Sequence, residues 1–267
     1  MYIVGIDVGG TNTDATLLRD SEVVAMAKVP TDHGDLFAST KSALQEVLKH
    51  YQGTEPLQLQ LSTTLSTNII VEGKGSPTEV VTVPGPGANL ATQRFPFPVH
   101  EVDGYTDHRG REVSSLNSKQ IEALQSVIKP EVALGVVGKF SHRNPAQEQQ
   151  LGQMLSAWHR GPISYGHRLS GQANFLRRIV TTYLNASVAP QQHEFALMWK
   201  RLQKQLGVTI GEILVLKADG GTMTLADSQD RPIETILSGP AASIMGVRAL
   251  AECQEENFVI VDIGGTT

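Results

Sequence analysis

The chain has a single cysteine among its 267 residues, and this scarcity excludes several kinds of site. One thiol cannot form an intramolecular disulfide, a structural zinc cluster or an iron–sulfur centre from this chain alone. Cys253 lies on a predicted helix beside Glu252 and Glu255. Because acidic neighbours oppose formation of a thiolate, Cys253 is not a candidate nucleophile.

The sequence also lacks an excess of basic residues and any long apolar run. It has 22 Lys and Arg against 27 Asp and Glu, which gives a formal net charge of −5. Without a basic stripe to neutralise a phosphate backbone, nucleic acid is not expected as a main partner. No apolar run reaches the length of a membrane span, and no secretory signal follows Met1. The sequence therefore predicts a cytoplasmic protein without a nucleic-acid or membrane partner.

Several enzyme motifs are missing as well. Neither Gly-x-Gly-x-x-Gly nor Gly-Lys-Ser/Thr occurs, so a Rossmann or P-loop nucleotide site is not predicted. Gly-x-Ser-x-Gly, the nucleophile motif of one hydrolase class, is absent too. The eight histidines show no spacing typical of metal ligands.

Two copies of one glycine-rich motif stand near opposite ends of the sequence, at 5–14 and 261–267. In each copy an apolar run reaches an Asp, then one apolar residue, then Gly-Gly-Thr. Glycines let the backbone approach an anion, Thr hydroxyls add donors, and the Asp can hold Mg²⁺ directly or through water. The pair therefore predicts a clamp for a metal-bound phosphate. For the first copy alone, an ordinary hairpin turn is the alternative.

The residues after the first motif predict strands and not a helix. Residues 11–18 alternate in polarity, and a turn then leads into 22–29, which gives a three-strand meander. A phosphate bound here would therefore lie on a β-hairpin and not at a helix N-terminus.

Hydrophobic periodicity predicts alternating strands and helices along the remainder of the chain. The predicted helices are 34–50, 118–129, 145–159, 171–189, 191–206 and 240–252. The predicted strands are 57–61, 78–83, 131–140, 163–167, 213–217, 222–226 and 258–262. Meanders combined with strand–helix alternation indicate an α/β fold with a mixed sheet. We expect a domain boundary near residues 168–171.

The two motifs resemble the phosphate loops of the actin, Hsp70 and sugar-kinase superfamily, and the whole chain resembles the N-terminal part of the hydantoinase A / 5-oxoprolinase family. The matching stretches, in the family's order and rough spacing, are 7–14, 62–68, 140–145, 182–186, 219–221, 237–241 and 262–267. The resemblance implies an α/β, actin-like (ribonuclease H-like) ATPase lobe with a mixed sheet, plus the start of a second lobe. Residues 1–168 would form the first lobe and 169–267 the start of the second.

Two features depart from the family pattern. Asn12 stands where many relatives have Phe. The sequence also stops at Thr267, inside the second motif, whereas the family continues into the adenine-binding half. We therefore expect a truncated chain with the adenine-binding residues beyond Thr267.

The resemblance implies ATP-dependent hydrolysis of a cyclic amide, of the hydantoin or 5-oxoproline type, with ATP and Mg²⁺. Transfer of the γ-phosphoryl group to the amide oxygen would create an activated imidate that water can attack. A small cyclic amide is then the expected substrate, and a second large subunit of the hydantoinase B type or a homo-oligomer the expected assembly. A small-molecule kinase of the sugar type and a non-catalytic ATP-binding regulatory subunit are the alternatives.

The resemblance also assigns roles to individual residues. The predicted catalytic residues are Asp7, Asp14 and Asp262, of which Asp7 and Asp262 would bind the metal. The predicted phosphate-binding residues are Gly9, Gly10, Thr11, Asn12, Thr13, Gly264, Gly265, Thr266 and Thr267.

Two further stretches are candidates for substrate contacts. The first, 62–68, is hydroxyl-rich, follows a predicted strand and is a candidate rim for substrate or phosphate; the second follows another strand. The individual candidates for substrate contacts are Thr63, Thr64, Ser66, Asn68, His142 and Arg143. Each has a structural alternative. Hydroxyl side chains cap helices, and a charged loop end can anchor the loop. Asp14 has a structural role in the hairpin as its alternative.

Overall fold

The computed structural model describes residues 1–32, 34–169, 173–250 and 259–261. The twelve strands are β1 Tyr2–Val8, β2 Asn12–Arg19, β3 Glu22–Pro30, β4 Leu57–Thr63, β5 Thr78–Val83, β6 Val99–Glu101, β7 Tyr105–Thr106, β8 Glu112–Ser114, β9 Ala133–Gly138, β10 Ile163–Tyr165, β11 Ile210–Leu216 and β12 Thr222–Thr224. The α-helices are α1 Leu36–Leu48, α2 Leu65–Val71, α3 Ser118–Ala123, α4 Ala146–Ser156, α5 Gly166–Leu169, α6 Phe175–Gln203, α7 Leu225–Asp230 and α8 Ser238–Leu250.

These elements form two compact units, which we call unit 1 and unit 2. Unit 1 combines Met1–Asn68 with Gln192–Thr267, and unit 2 is Ile69–Gln191. Both divisions differ from the domain boundary predicted near residues 168–171. The reason is that β11, from the later segment, pairs with β4 and so completes a sheet begun by the N-terminal strands.

Unit 1 is built on a six-stranded mixed sheet in the order β12-β11-β4-β1-β2-β3. The meander β1-β2-β3 is antiparallel, whereas β4 is parallel to both β1 and β11. Period-two alternation directs Val4, Ile6 and Val8 into one face of the sheet, where α1 and the later part of α6 contribute to the same core. The side chain of Asp7 lies on the opposite face of the sheet, outside this core.

Unit 2 contains a four-stranded sheet, β10-β9-β5-β6, in which every pair is parallel. Its central strand β9 is buried along its whole length, as expected for a parallel sheet covered on both faces. One core cluster includes Val81 and Leu151, and a second includes Val80 and Ile179. Strands β7 and β8 form a separate antiparallel hairpin, whose turn includes residues 109–111.

The structure corrects the prediction that Pro190 separates two helices. A single helix, α6, passes through Pro190. Proline has no N–H to donate to the carbonyl four residues earlier, which is that of Ala186. The next carbonyl, that of Ser187, accepts a hydrogen bond of 2.9 Å from the backbone N–H of Ser76, so this turn of the helix is also held from outside. Residues 171 and 172, where the first helix was predicted to begin, lie outside the described residues.

Other predicted elements differ in length or type. The helix predicted for 118–129 ends at Ala123 and continues as a 3₁₀-helix over Leu124–Ser126. The strand predicted for 163–167 gives way to α5 at Gly166. Of the strand predicted for 258–262, only residues 259–261 are described, and they have no strand pairing within the described part of the chain. No helix of the described ranges is long and apolar enough to cross a membrane.

Leu237, immediately before α8, adopts a left-handed backbone conformation with φ of 62°. This conformation crowds a β-carbon and costs about 1–2 kcal/mol for residues other than glycine. We therefore expect Leu237→Gly to be about 1 kcal/mol more stable than Leu237→Ala by denaturant unfolding. The alanine variant is the matched control because it also loses the Leu237 side chain, which is 56% exposed, but keeps the β-carbon. Equal stability of the two variants would show that the left-handed backbone at position 237 is not strained.

Candidate functional site

The first glycine motif forms the turn between β1 and β2. The backbone N–H of Gly9 donates to the carbonyl of Asn12 at 3.1 Å, which closes the turn. A β-carbon at Gly9 would lie 2.9 Å from that carbonyl oxygen, so the position requires glycine. Nothing lies within 4 Å of the corresponding point at Gly10, so this side of the loop is open to an approaching group.

The remaining residues of the loop have different surroundings. Thr11 is exposed and Asn12 is half-buried, so both can reach a ligand. The Thr13 hydroxyl is fully buried and shares a hydrogen bond of 2.9 Å with the hydroxyl of Thr31 on the core side of β2. This bond joins the hairpin to the residue that follows β3.

A transverse row of four polar residues crosses the sheet beside this loop. Strand register places Asp7 opposite Ser62 on one side and Asp14 on the other, and Asp14 opposite Lys28. Lys28 Nζ donates to both carboxylate oxygens of Asp14, at 2.9 and 3.1 Å. Asp14 therefore holds β2 to β3 through an exposed ion pair, while Asp7 has no basic residue beside it in the row.

Asp7 is the carboxylate in this row whose hydrogen bonding is incomplete. Its Oδ1 atom and the hydroxyl oxygen of Ser62 are both buried and have no hydrogen-bond partner in the described structure. Burial raises the pKa of the Asp7 carboxyl, an effect that Ser62 and Lys28 oppose and Asp14 reinforces. A buried acceptor without a donor is costly, so the arrangement suits a cation that would contact Asp7.

A cleft of about 260 Å³ opens over this row. Its walls come from the middle strands of the sheet and the first turns of α8, and include Asp7, Asp14, Ser62 and Ala242. Ser62 begins the hydroxyl-rich stretch that was predicted as a rim for substrate or phosphate. Its strand register places it beside Asp7, and this neighbour depends on which strands pair, which the linear pattern does not reveal.

The hydroxyl-rich stretch from Thr63 to Asn68 makes mainly structural contacts. Thr63 Oγ1 accepts from the backbone N–H of Leu65 at 3.1 Å, so it caps the start of α2. The Ser66 hydroxyl accepts from the hydroxyl of Thr235 at 2.8 Å. Asn68 Nδ2 donates to Thr64 Oγ1 at 3.2 Å. The structure thus shows the capping alternative at Thr63, and the role of these side chains as substrate contacts stays a prediction.

The same stretch also fixes the start of α8. The backbone carbonyl of Thr63 accepts from the Ser238 hydroxyl at 3.1 Å, and Thr67 Oγ1 accepts from the N–H of Leu237 at 3.0 Å. The end of β4 therefore determines where the first turn of α8 lies along the cleft.

The other predicted site residues fall in two groups. His142 and Arg143 belong to unit 2, in the turn after β9. Asp262, Gly264, Gly265, Thr266 and Thr267 lie outside the described residues, so their part in the site stays a prediction. Within the described ranges no group of three or more His, Cys, Asp or Glu side chains could hold a metal ion.

Two family models match the chain: "Hydantoinase/oxoprolinase N-terminal region" over residues 3–158, and "Hydantoinase/oxoprolinase" over residues 178–267. The chain therefore belongs to the hydantoinase/oxoprolinase family, which confirms the resemblance.

Curated relatives are distant. An uncharacterized protein of Methanocaldococcus jannaschii is 25% identical over 292 residues, covering 100% of this chain and 42% of the relative. The acetophenone carboxylase gamma subunit of Aromatoleum aromaticum is 26% identical over 307 residues, covering 99% of this chain and 41% of the relative. The chain thus spans about two fifths of the length of these relatives.

Solved structures share the fold. A nucleotide-free acetone carboxylase, described with a mechanism of ATP-dependent acetone carboxylation, superposes with a TM-score of 0.77 and 19% identity, over 94% of this chain and 41% of its own. The ATP-dependent caprolactamase of Pseudomonas jessenii gives 0.73 and 22%, over 94% of this chain and 40% of its own. The likeness confirms the predicted α/β ATPase fold with a mixed sheet.

Proposed function

We propose that unit 1 binds the phosphates of ATP with Mg²⁺, and that the protein uses ATP to open a cyclic amide of the hydantoin or 5-oxoproline type. The observation that carries the nucleotide part is the Asp7 carboxylate, which lines the cleft beside an open glycine turn and whose buried Oδ1 has no donor. Family membership supports the amide part. Both the caprolactamase and acetone carboxylation are described as ATP-dependent, which supports the use of ATP.

The residues present fit a magnesium ion bound to a nucleotide. Mg²⁺ keeps several waters and is usually held by one or two carboxylates together with substrate phosphates. Asp7 supplies one carboxylate, and the Ser62 hydroxyl can accept a hydrogen bond from a metal-bound water. When bound, the ion would neutralise charge on the phosphates. Asp262, Gly264, Gly265, Thr266 and Thr267 are proposed as the opposite side of the clamp.

The remaining proposed roles belong to the protein's backbone and hydroxyl groups. The open face at Gly10 lets a phosphate approach the backbone closely, and Thr11 and Asn12 add exposed or half-buried donors. Asp14 is held by Lys28, so we assign it to positioning β2. Thr63, through its carbonyl, and Thr67 hold the start of α8 at the cleft. Thr63, Thr64, Ser66 and Asn68 stay proposed as contacts to the lactam.

Phosphate release tests the proposal. We expect the protein to hydrolyse ATP with Mg²⁺ faster when 5-oxoproline or hydantoin is added, and Asp7→Asn to abolish the increase. A panel of hexoses distinguishes the sugar-kinase alternative. Formation of a sugar phosphate without any lactam-dependent phosphate release would overturn the proposed substrate class. No magnesium-dependent ATP binding would overturn the nucleotide site itself.

A second candidate is a nucleotide-binding subunit that acts within a larger complex. The observation that favours it is the similarity to a gamma subunit of acetophenone carboxylase. We propose a second large subunit, of the hydantoinase B type, as the partner. In that case ATP would bind to the isolated protein, but lactam-dependent hydrolysis would require the partner.

A further inference from the structure

A cleft of about 660 Å³ lies at the amino ends of β5, β9 and β10 in unit 2, and we call it the amino-end cleft. Its walls include Pro77 and Glu79 at the start of β5, Val132 just before β9, and Arg160 and Pro162 before β10. All of its lining residues belong to unit 2, so the cleft is a property of this unit alone. Small-molecule sites typically occupy about 300–1,000 Å³, so the cleft is large enough for such a ligand.

Backbone hydrogen bonds fix the two loops that form one side of the amino-end cleft. The carbonyl of Pro130, in the loop before β9, accepts from the N–H of Arg160 at 2.8 Å and from that of Gly161 at 3.0 Å. A β-carbon at Gly161 would lie 2.1 Å from the carbonyl oxygen of Val132, so the two loops can approach this closely because the residue is glycine. The walls are therefore held in place before any ligand binds, which reduces the entropic cost of binding.

Charged side chains of both signs line the cleft, namely Glu79, Lys129, Glu131 and Arg160. Within the described ranges, the side chains of Lys129, Glu131 and Arg160 make no hydrogen bond or ion pair. Glu79 has one partner, since its Oε2 atom lies 2.6 Å from His100 Nε2. The opposite charges thus do not pair with one another across the cleft, and each remains available to a charged group of a ligand.

The order of the strands separates positive from negative charge at the two sides of the cleft. Arg160 precedes β10, Glu79 lies on β5, and β9 runs between these two strands. Because neighbouring strands are about 4.8 Å apart, β5 and β10 are separated by about 10 Å. Pro77, Val132 and Pro162 add apolar surface to the lining. A ligand with a cation at one end, an anion at the other and an apolar chain between them is complementary to this arrangement.

We propose that the amino-end cleft binds a zwitterionic small molecule in which an apolar chain joins an ammonium group to a carboxylate. Arg160 and Lys129 bind the carboxylate, for which the planar fork of arginine is well suited. Glu79 and Glu131 bind the ammonium group.

The proposed reaction yields a molecule of this class. Addition of water across the C–N bond of a lactam leaves a carboxylate on the former carbonyl carbon and an ammonium group on the former ring nitrogen, both on one chain. The cleft therefore binds the ring-opened product and not the uncharged lactam. This link to the product rests on the proposed function, whereas the cleft and its charges belong to unit 2 and do not depend on the ATP site proposed in unit 1.

The experiment is an NMR titration without ATP or Mg²⁺, followed through the backbone amide signals of Val132 and Gly161. The probes are 5-aminopentanoate, its uncharged lactam, and pentanoate and pentylamine, which each carry one of the two charges. We expect saturable shifts with 5-aminopentanoate and none with the lactam. The compounds with one charge should bind at least about tenfold more weakly, which corresponds to about 1.4 kcal/mol. Arg160→Gln and Glu131→Gln should each weaken binding of 5-aminopentanoate about tenfold, because each removes a charge-assisted contact.

Arg143→Gln and Glu122→Gln are the matched controls, because both positions are exposed and charged and belong to unit 2 but do not line the cleft. They should leave binding unchanged. The proposal is overturned if 5-aminopentanoate gives no saturable shift, or if the lactam or either compound with one charge binds as tightly. Equal weakening by the controls and the cleft variants would also overturn it, because the effect would then reflect net charge only. Loss of ATP binding in unit 1 would leave these results unaffected, and lactam-dependent ATP hydrolysis without binding of 5-aminopentanoate would overturn this inference alone.

Discussion

Replacing Asp7 by Asn is expected to weaken binding of ATP with Mg²⁺ by at least about 100-fold and, at the same time, to stabilise the ligand-free protein by about 1 kcal/mol. Removing the charge removes the group proposed to hold the metal. It also removes a carboxylate that burial disfavours and whose Oδ1 has no donor. An asparagine has no charge to desolvate and can still pair with the neighbouring Ser62 hydroxyl, and relief of a buried unsatisfied group is worth about 1–3 kcal/mol. Calorimetric titration and denaturant unfolding measure the two effects.

The pH dependence of stability provides an independent check. Because the folded-state pKa of Asp7 is raised, the folded protein takes up this proton more readily than the unfolded chain. The destabilisation due to Asp7 is therefore fully present above the pKa of Asp7 in the folded protein. It is lost as the pH falls from that pKa to the lower pKa of Asp7 in the unfolded chain. The stability difference between Asp7→Asn and the unmodified protein should shrink over the same interval.

Asp20→Asn is the control for nucleotide binding. Asp20 lies in the turn between β2 and β3, its exposed carboxylate pairs with the N-terminal ammonium group, and its φ of 49° is one that asparagine tolerates. It should not affect nucleotide binding. An Asp7→Asn variant that binds ATP with Mg²⁺ normally would contradict the assigned role, and a less stable variant would contradict the account of the unpaired carboxylate.

The meander and its glycine turn were predictable because their information is local. Polar alternation fixed β2, and paired glycines marked the bend that follows Asp7. The hydroxyl-rich stretch that begins at Ser62 was also recognisable from local composition, but the position of Ser62 beside Asp7 was not. That position depends on the parallel pairing of β1 with β4, which are about fifty residues apart in the chain, and such pairing leaves no short-range pattern.

Pro190 illustrates the opposite error, in which a local signal was overridden. Proline in a helix usually marks a break, but α6 continues through Pro190, where residues 186–189 are buried and the carbonyl of Ser187 accepts from the N–H of Ser76, more than a hundred residues earlier. The two compact units likewise combine distant parts of the chain, because β11 pairs with β4. Neither kind of contact between distant residues is visible in a local pattern.

Replacing Glu148 by Leu is expected to destabilise unit 2 by about 3–5 kcal/mol. The Glu148 carboxylate is fully buried and accepts hydrogen bonds from the N–H of Gly138, the N–H of His167 and His167 Nδ1. Its negative charge also stabilises the positive charge of the buried Arg178 guanidinium, whose pKa it raises. Leucine of similar volume would leave these donors without an acceptor and the guanidinium without its neighbouring carboxylate. Breaking a buried ion pair from one side typically costs this amount.

Two variants separate charge from volume. Glu148→Gln keeps one acceptor oxygen and should cost less, about 2 kcal/mol, because hydrogen bonds are partly retained while the charge is lost. Gln149→Leu, at the exposed neighbouring position of α4, should change stability by less than about 0.5 kcal/mol.

The two tryptophans allow unit 2 to be followed alone, since Trp158 belongs to unit 2 and Trp199 to unit 1. Urea unfolding monitored by Trp158 fluorescence in a Trp199→Phe background therefore measures the predicted losses. If Glu148→Leu unfolded at the same urea concentration as Gln149→Leu, the buried carboxylate would not hold the end of β9 in place. Arg178, whose Nη2 donates to the carbonyl of Gly138, would then be the main support of the turn after β9.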